Sequence, residues 1–453
     1  MSPFLAQSNN SRSLGALTLT LLGGVSSIVL GAQAANAGTL TGTTVVVGTP
    51  VSTTGTISAT ASVTDVWTPT GTVTAGNSLT FTLSGGAQFA AAPSVTALPN
   101  GSFGVGSLNS SNTAYSIQVS GSLVPGSATL SLTSVQISNY ASSISGTSGA
   151  ISLAYYATAG SDPAATLQLV TFAPAVSVTN SSAVAAVVDV PSGATRFVAG
   201  STTTPLVALG GLTVTNGSAV TLTGATYAPN TSGSTLTLTG PLGGISTVFA
   251  VPSTTTVSGS TVPSSATTAT PSGNSVSLAF PSTATTIPTG TYNVYGLATG
   301  STILDTGSFN LGSTVSFGSG VTFTGPTSTV ASTSYNGTVA TVNYAVGGSS
   351  GYASYLYVTN RSLSSVPVLV SVRPSTGTGP FSGTLVSALA ANSSALISGS
   401  QIDSALGTSL FTSAGQRSSL RVLVGTTSAA VTGLLLNPSG DVSDIGLSFS
   451  GSN

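Results

Sequence analysis

Apolar and polar residues alternate in short runs along most of this chain. Leu79, Phe81 and Leu83 form one such run, and Tyr115, Ile117 and Val119 another. Others are Leu130 and Leu132; Leu236 and Leu238; Val276, Leu278 and Phe280; and Val368, Val370 and Val372. Residues two apart share one face of a strand, so each run predicts a strand with an apolar face toward a core and a Thr/Ser face on the other side. Turn formers such as GN, NG, SGG and PSG separate the runs. Many short strands between closely spaced turns predict an all-β protein of two or three tandem antiparallel β-sandwich (Ig-like) domains. Helical periodicity is scarce, its best instance being SQIDSALGTSLF, residues 400 to 411, with Ser400 as the expected cap and Gly407 near the expected end.

The pattern divides the chain after a leader into residues 38–174, 175–314 and 315–453, the last becoming clear near residue 352. Within the middle segment, residues 252–273 are a Ser/Thr/Pro-rich excursion, read either as flexible or as a further boundary. In the last segment, a strand through Tyr355 and Tyr357 is followed by the loop NRSLSS. The next strand should turn Val366, Val368, Val370 and Val372 inward, with Leu369 and Arg373 outward. In SSLRVLVG, Leu420, Val422 and Val424 point one way and Arg421 the other. This alternation leads to the expectation that Arg373 and Arg421 share an outer face with Tyr355 and Tyr357. Such a cation and aromatic patch suits a neighbouring subunit or a cell-envelope glycan. Solvated strand faces explain the same arginines equally simply.

Composition narrows the chemistry. The 453 residues carry a formal net charge of -1, only 3% are charged, and neither Cys nor His occurs. Every acid is Asp and every base is Arg. With nothing that titrates near neutrality, folding and association should be indifferent to pH above the carboxylate range. So few arginines, spread along the chain, cannot supply the cation cluster that displaces phosphate counterions, which excludes nucleic acid as a partner. A chain near zero net charge tends to associate, a property that suits the subunit of an assembly.

The first 37 residues have the organisation of a cleaved signal peptide. Arg12 precedes the apolar run LGALTLTLLGGVSSIVLGA, and Ala35-Asn36-Ala37 supplies the small-x-small pattern before Gly38. The mature chain would then be exported, with no transmembrane helix and with a secreted, extracellular or cell-surface location. Lacking cysteine, it would depend on core packing or assembly for stability.

Candidate catalytic groups are few. Without His or Cys, neither a Ser-His-Asp nor a Cys-His arrangement can form, and the usual zinc sites and Walker loops are excluded. Gly347-Gly348-Ser349-Ser350-Gly351 has the spacing of a nucleophile elbow but no base for Ser349. Asp441 and Asp444 in NPSGDVSDIG are candidate oxygen ligands for Ca2+, and a Gly/Asp-rich turn accounts for them as well. No other cofactor is expected. Eight N-x-S/T sequons follow residue 37, at Asn100 and Asn360 for example; a chain this rich in Ser and Thr would be expected to contain many.

The stretch TILDTGSFNLG, residues 302 to 312, resembles the active-site loop of the pepsin-like aspartic proteases. The resemblance implies Asp305 as one half of a proton-sharing carboxylate pair. Asp403, the nearest candidate for the other half, is followed by Ala405 where that family has Gly. A strand end with Asp305 in a turn is the alternative. Taken whole, the chain resembles the low-charge Ser/Thr/Gly/Ala/Val-rich surface-layer proteins and other cell-surface structural proteins exported by Gram-negative bacteria. That resemblance implies a self-associating surface-layer or filament subunit, a homo-oligomer or lattice and not an enzyme. The alternatives are an adhesin or carbohydrate-binding surface protein, or a secreted acid protease using Asp305.

Overall fold

The computed structural model describes residues 39–49, 55–64, 75–76, 78–98, 103–120, 129–145, 148–157, 165–181, 184–217, 222, 229–281, 285–317, 321–346, 351–374, 381–409, 417–445 and 447–449. The leader expected over residues 1–37 and Ser349 lie outside them. The described chain is almost entirely β-strand, arranged as stacked sheets that enclose apolar cores. It forms two compact units. Of the described residues, one unit takes those within 39–46 and 55–172, the other those within 47–49 and 173–449.

In the first unit, strands Thr39–Thr43, Ile57–Thr64, Thr129–Ser138 and Gln88–Phe89 are neighbours in one sheet. Ser94–Leu98 also pairs with Thr129–Ser138. A second sheet carries Ala165–Pro174, Ser148–Ala157, Ser78–Leu83, Ala114–Val119 and Phe103–Leu108 side by side. The alternating residues Leu79, Phe81, Leu83, Tyr115, Ile117, Val119, Leu130 and Leu132 are all buried. Phe81 packs on Tyr155 with ring centroids 5.6 Å apart, a separation typical of favourable aromatic pairs.

The second unit contains two sandwiches. In the middle one, the five-stranded sheet has the order Val176–Asn180, Leu206–Asn216, Gly290–Ala298, Ile245–Pro252, Thr267–Ala269. The facing sheet contains Val184–Val188, Ser328–Tyr335, Gly307–Phe317, Pro229–Thr239 and Ser275–Ala279 in that order. Not every pairing is antiparallel: Val184–Val188 runs parallel to Ser328–Tyr335, with Val184 opposite Ala331 and Val188 opposite Tyr335. The Ser/Thr/Pro-rich excursion is ordered and forms no boundary. It returns to the sheet as Thr267–Ala269, which pairs with Val248 to Ala250, and the Thr267 hydroxyl donates to the Ala279 carbonyl at 2.7 Å.

The boundary expected at 314 falls inside strand Gly307–Phe317, which forms a hairpin with Val321–Thr324. The middle sandwich continues to Tyr335, and Thr338 opens the next one. Only Asn336 and Gly337 lie between them. Asn336 Oδ1 accepts from Val190 N–H at 2.8 Å, while its Nδ2 donates to Asp189 Oδ1 at 2.7 Å. Gly337 is required by a close approach, because a Cβ there would lie 2.3 Å from the Val424 carbonyl oxygen. The handover is thus short and pinned from both sides.

The C-terminal sandwich has one sheet in the order Phe381–Leu389, Val366–Pro374, Arg417–Val424, Thr338–Val346, Leu447–Phe449. The other runs Ser393–Ser398, Ala353–Asn360, Ala429–Leu436, Val442–Ile445. Val368, Val370, Val372, Leu420, Val422 and Val424 meet Leu356, Val358 and Val431 in its core. Leu369 points to the opposite face, as alternation requires, yet only 2% of it is exposed. Together with Val339 and Leu423 it joins the core of the middle sandwich. The apolar interior is therefore continuous across the two sandwiches.

The helix begins earlier than expected, spanning Gly399–Leu406, and Ser398 takes the capping role expected of Ser400. Ser398 has extended backbone at the end of its strand, and Gln401 completes a reciprocal capping box. Gly407, in the left-handed conformation, ends the helix where expected.

Candidate functional site

Asp305 lies in an irregular segment just ahead of strand Gly307–Phe317. The segment is fixed by its backbone: Leu304 N–H donates to Ala194 O at 2.9 Å and Asp305 N–H to Gly243 O at 3.0 Å. Its carboxylate reaches the C-terminal sandwich, where Arg421 Nη2 donates to Asp305 Oδ1 at 2.7 Å. Arg421 Nε donates to Ser371 Oγ at 2.9 Å, and Ser371 lies directly across the ladder from Arg421. The guanidinium also lies over the Tyr335 ring, 5.6 Å from its centroid. With 27% of the Arg421 side chain and 11% of the Asp305 side chain accessible, water screens this pair only partly.

Tyr335 closes the cluster. Its hydroxyl donates to the Leu304 carbonyl, tying the end of strand Ser328–Tyr335 to the segment that carries Asp305. Burial pushes its phenol from the ordinary 10.0 up to about 12. Asp305 adds to that rise, while Arg421 and a hydrogen bond with Thr306 oppose it. Unfolded, the phenol ionises near 10, so the contribution of neutral Tyr335 is complete below that pH and is lost as pH rises toward 12. Two pKa units correspond to about 2–3 kcal/mol. Urea unfolding between pH 9 and pH 12 should therefore fall more steeply for the wild type than for Tyr335→Phe. Parallel pH profiles would refute this assignment.

Above the ion pair, an open cleft of about 650 Å³ is lined by Pro241, Asn274, Thr306, Ser371, Ser419 and Arg421, among others. The fit to an aspartic protease is poor at the level of chemistry. Such a site needs two carboxylates sharing a proton, whereas Asp305 faces a guanidinium. Asp403 is buried in the helix Gly399–Leu406, which packs on strand Phe381–Leu389. The strand boundary of the alternative reading is present at Gly307, and the Asp305 carboxylate in addition joins two sandwiches.

The expected patch of Tyr355, Tyr357, Arg373 and Arg421 is not one surface. Tyr355 and Tyr357 belong to Ala353–Asn360 in the four-stranded sheet. Arg373 and Arg421 belong to Val366–Pro374 and Arg417–Val424 in the five-stranded sheet. The NRSLSS loop carries the chain from one sheet to the other, so the outer faces of the two strands lie on opposite sides of the sandwich. Arg373 occupies the ladder position opposite Ser419.

Asp441 belongs to the turn joining Ala429–Leu436 to Val442–Ile445. Its N–H donates to Asn437 Oδ1 at 2.8 Å, and its Oδ2 accepts from Ser439 Oγ at 2.9 Å and Asn437 Nδ2 at 3.1 Å. Hydrogen bonds from Asn437 and then Ser439 hold its carboxyl below the ordinary carboxylate range. Asp444 lies on the following strand, opposite Leu434. Among the described residues no three His, Cys, Asp or Glu side chains come together as a metal site.

The sequon at Asn360 serves structure. Asn360 is fully buried, and its Nδ2 donates to the carbonyls of Ser364, Leu389 and Ala390 at 2.8, 3.0 and 2.9 Å. Its Oδ1 accepts from the Ser362 N–H and hydroxyl at 2.9 and 2.7 Å. In the folded protein this amide is closed to glycosyl transfer. Asn180 and Asn336, also in sequons, likewise donate to groups far along the chain.

No protein-family model matches this chain, and no curated protein does. Among solved structures, a marsupial T cell receptor is similar over 91% of this chain and 100% of its own, with 8% identity and a TM-score of 0.20. The full-length major pilin SpaD from Corynebacterium diphtheriae is similar over 82% and 84%, with 10% identity and a TM-score of 0.21. A putative membrane-anchored protein from the same organism is similar over 89% and 90%, with 9% identity and a TM-score of 0.20. At scores this low the likeness carries no functional inference.

Proposed function

We propose that this chain is an exported structural subunit of a cell surface, acting by self-association into a surface layer or filament. The observation that carries the reading is the junction of the two C-terminal sandwiches. Asp305, the one acid with a protease-like sequence context, is ion-paired to Arg421 across it, and Leu369, Val339 and Leu423 continue one core into the other. Chemistry of this kind fixes modules relative to each other and turns over no substrate.

The composition supports the same reading. A nearly uncharged surface favours association, and a chain without His or Cys holds its assembly unchanged across neutral pH. The leader-like first 37 residues supply the export route.

Electron microscopy of cells with and without the gene tests the proposal. Loss of an ordered surface structure on deletion is the expected result, with restoration on complementation. An unchanged surface, together with a purified protein that stays monomeric, would overturn it.

A further inference from the structure

The cleft above the Asp305–Arg421 pair, about 650 Å³ in volume, lies within the size range of small-ligand sites, and its walls come from both the middle and the C-terminal sandwich. Its polar groups are held in place by the fold. Asp305 Oδ1 accepts from Arg421, and Oδ2 is seated so closely against Gly243 that a Cβ there would lie 2.1 Å away. Arg421 is fixed in turn by Ser371 and by the Tyr335 ring. On the middle sandwich, Asn274 belongs to the two-residue turn Gly273-Asn274, which Ser272 and Ser275 close by mutual hydrogen bonds. The Asn274 carbonyl accepts from Gly240 N–H at 3.0 Å. Groups positioned in this way lose little freedom when a ligand binds.

Unused hydrogen-bonding capacity on these walls defines the ligand. A guanidinium has five N–H groups, and among the described residues Arg421 uses two, on Asp305 and Ser371, with 27% of its side chain exposed. Ser419, two residues away on the same strand face, is exposed, as is Asn274, and neither side chain has a hydrogen-bond partner among the described residues. The one acid and one base lining the cleft pair with each other, so an anion meets the Asp305 carboxylate and a cation meets Arg421. Val372 is buried, which leaves Pro241 as the only partly exposed apolar side chain in the lining, too little for an apolar ligand. An extended peptide needs a strand edge, whereas Val366–Pro374 and Arg417–Val424 are both interior to their sheet. A neutral molecule with adjacent hydroxyls meets every condition. Each hydroxyl both donates and accepts, and the planar Arg421 and Asn274 groups each present a pair of polar atoms to neighbouring hydroxyls.

We propose that this cleft binds a neutral oligosaccharide through Arg421, Asn274 and Ser419. Asp305 is a positioning residue, orienting the guanidinium and cancelling its charge. No lining residue is aromatic, so no ring stacks on the sugar, and a single site binds with a Kd of roughly 0.1–1 mM. Such binding is separate from self-association.

An array of neutral and uronate-containing oligosaccharides, maltotriose, cellotriose and chitotriose among them, tests the site with the full exported chain, followed by isothermal titration. Saturable binding of a neutral oligosaccharide and rejection of uronates are expected for the wild type. Asn274→Ala should weaken binding about fivefold, and Ser419→Tyr, which fills the cleft, should abolish it, with circular dichroism and urea midpoint unchanged in both. Asp305→Asn should admit the uronates that the wild type rejects, a gain that a merely structural role would not produce. Retention on cell envelopes stripped of this protein, released by the same sugar, identifies an envelope glycan as the source, and binding without retention a soluble sugar; both agree with the site. Neutral-sugar binding unchanged in Asn274→Ala and Ser419→Tyr, no such binding up to about 10 mM, or uronate binding by the wild type would overturn it. Loss of an ordered cell-surface structure in Ser419→Tyr would also overturn it, giving the cleft to a neighbouring subunit.

Discussion

Replacing Asn360 with leucine is expected to destabilise the C-terminal compact unit by about 3–4 kcal/mol, among the largest effects of any single substitution in it. The side chain is hydrogen-bonded at zero exposure, its two N–H groups shared among three carbonyls and its Oδ1 accepting two bonds, and joins three separate pieces of chain: its own strand end, the loop through Ser362 and Ser364, and the turn at Leu389-Ala390. Leucine has similar volume, so packing is largely kept while polar partners are stranded. With Oδ1 gone the Ser362 hydroxyl is free to donate to the Ser364 carbonyl, and the Ala390 carbonyl keeps the Ser393 hydroxyl, which limits the loss. Asn360→Asp separates the two halves of the role, because it keeps the acceptor and removes the donors. Urea titration of the full chain, resolving the transition of this unit, measures both. A change below about 1 kcal/mol for Asn360→Leu would contradict the assigned network.

Arg421→Ala should cost about 3 kcal/mol, and Asp305→Ala somewhat less. Alanine at 421 removes the ion pair, the bond to Ser371 and the cation held over Tyr335, and leaves the Asp305 carboxylate facing the cleft without its guanidinium. Alanine at 305 leaves Arg421 its Ser371 and Tyr335 contacts, so less is lost. Because the groups act together, the Asp305→Ala/Arg421→Ala double variant should be less destabilised than the sum of the singles. Additive costs in the double-mutant cycle would show that the two residues contribute independently. The same variants address catalysis, since acid proteolysis abolished by Asp305→Ala and blocked by pepstatin would return Asp305 to a catalytic role.

Much of the fold was legible because period-two alternation is a local property. Leu79, Phe81 and Leu83 or Val368, Val370 and Val372 declare their strand and their buried face without reference to anything distant. The sheet that a strand joins is another matter. Tyr355 and Arg421 each point outward, yet nothing in the spacing says that NRSLSS carries the chain across the sandwich. The boundary expected at 314 falls inside a strand because the Gly- and Ser-rich sequence just after that strand reads like a linker, while the handover at Asn336-Gly337 is too short to read as one.

Double-sided burial leaves its own trace in the sequence. Val368-Leu369-Val370 and Val422-Leu423-Val424 break strict alternation, and Leu369 and Leu423 are the residues that enter the neighbouring core. Asp305 and Arg421 are 116 residues apart, so their pairing depends on the packing of two sandwiches and leaves no local signal. Tyr335 was missed for the same reason. The helix cap differed by two residues because Ser398 and Ser400 are chemically alike, and only backbone geometry distinguishes them.

The parallel pairing of Val184–Val188 with Ser328–Tyr335 gives the middle sandwich a mechanical character. Tension drawing Val184 back toward the preceding chain and Tyr335 forward into Thr338–Val346 pulls two neighbouring strands in opposite directions along their length. All five register pairs, from Val184 with Ala331 to Val188 with Tyr335, then resist sliding together instead of opening one by one from an end. With only Asn336 and Gly337 between this strand and the next sandwich, little slack exists to absorb extension before that shear is felt.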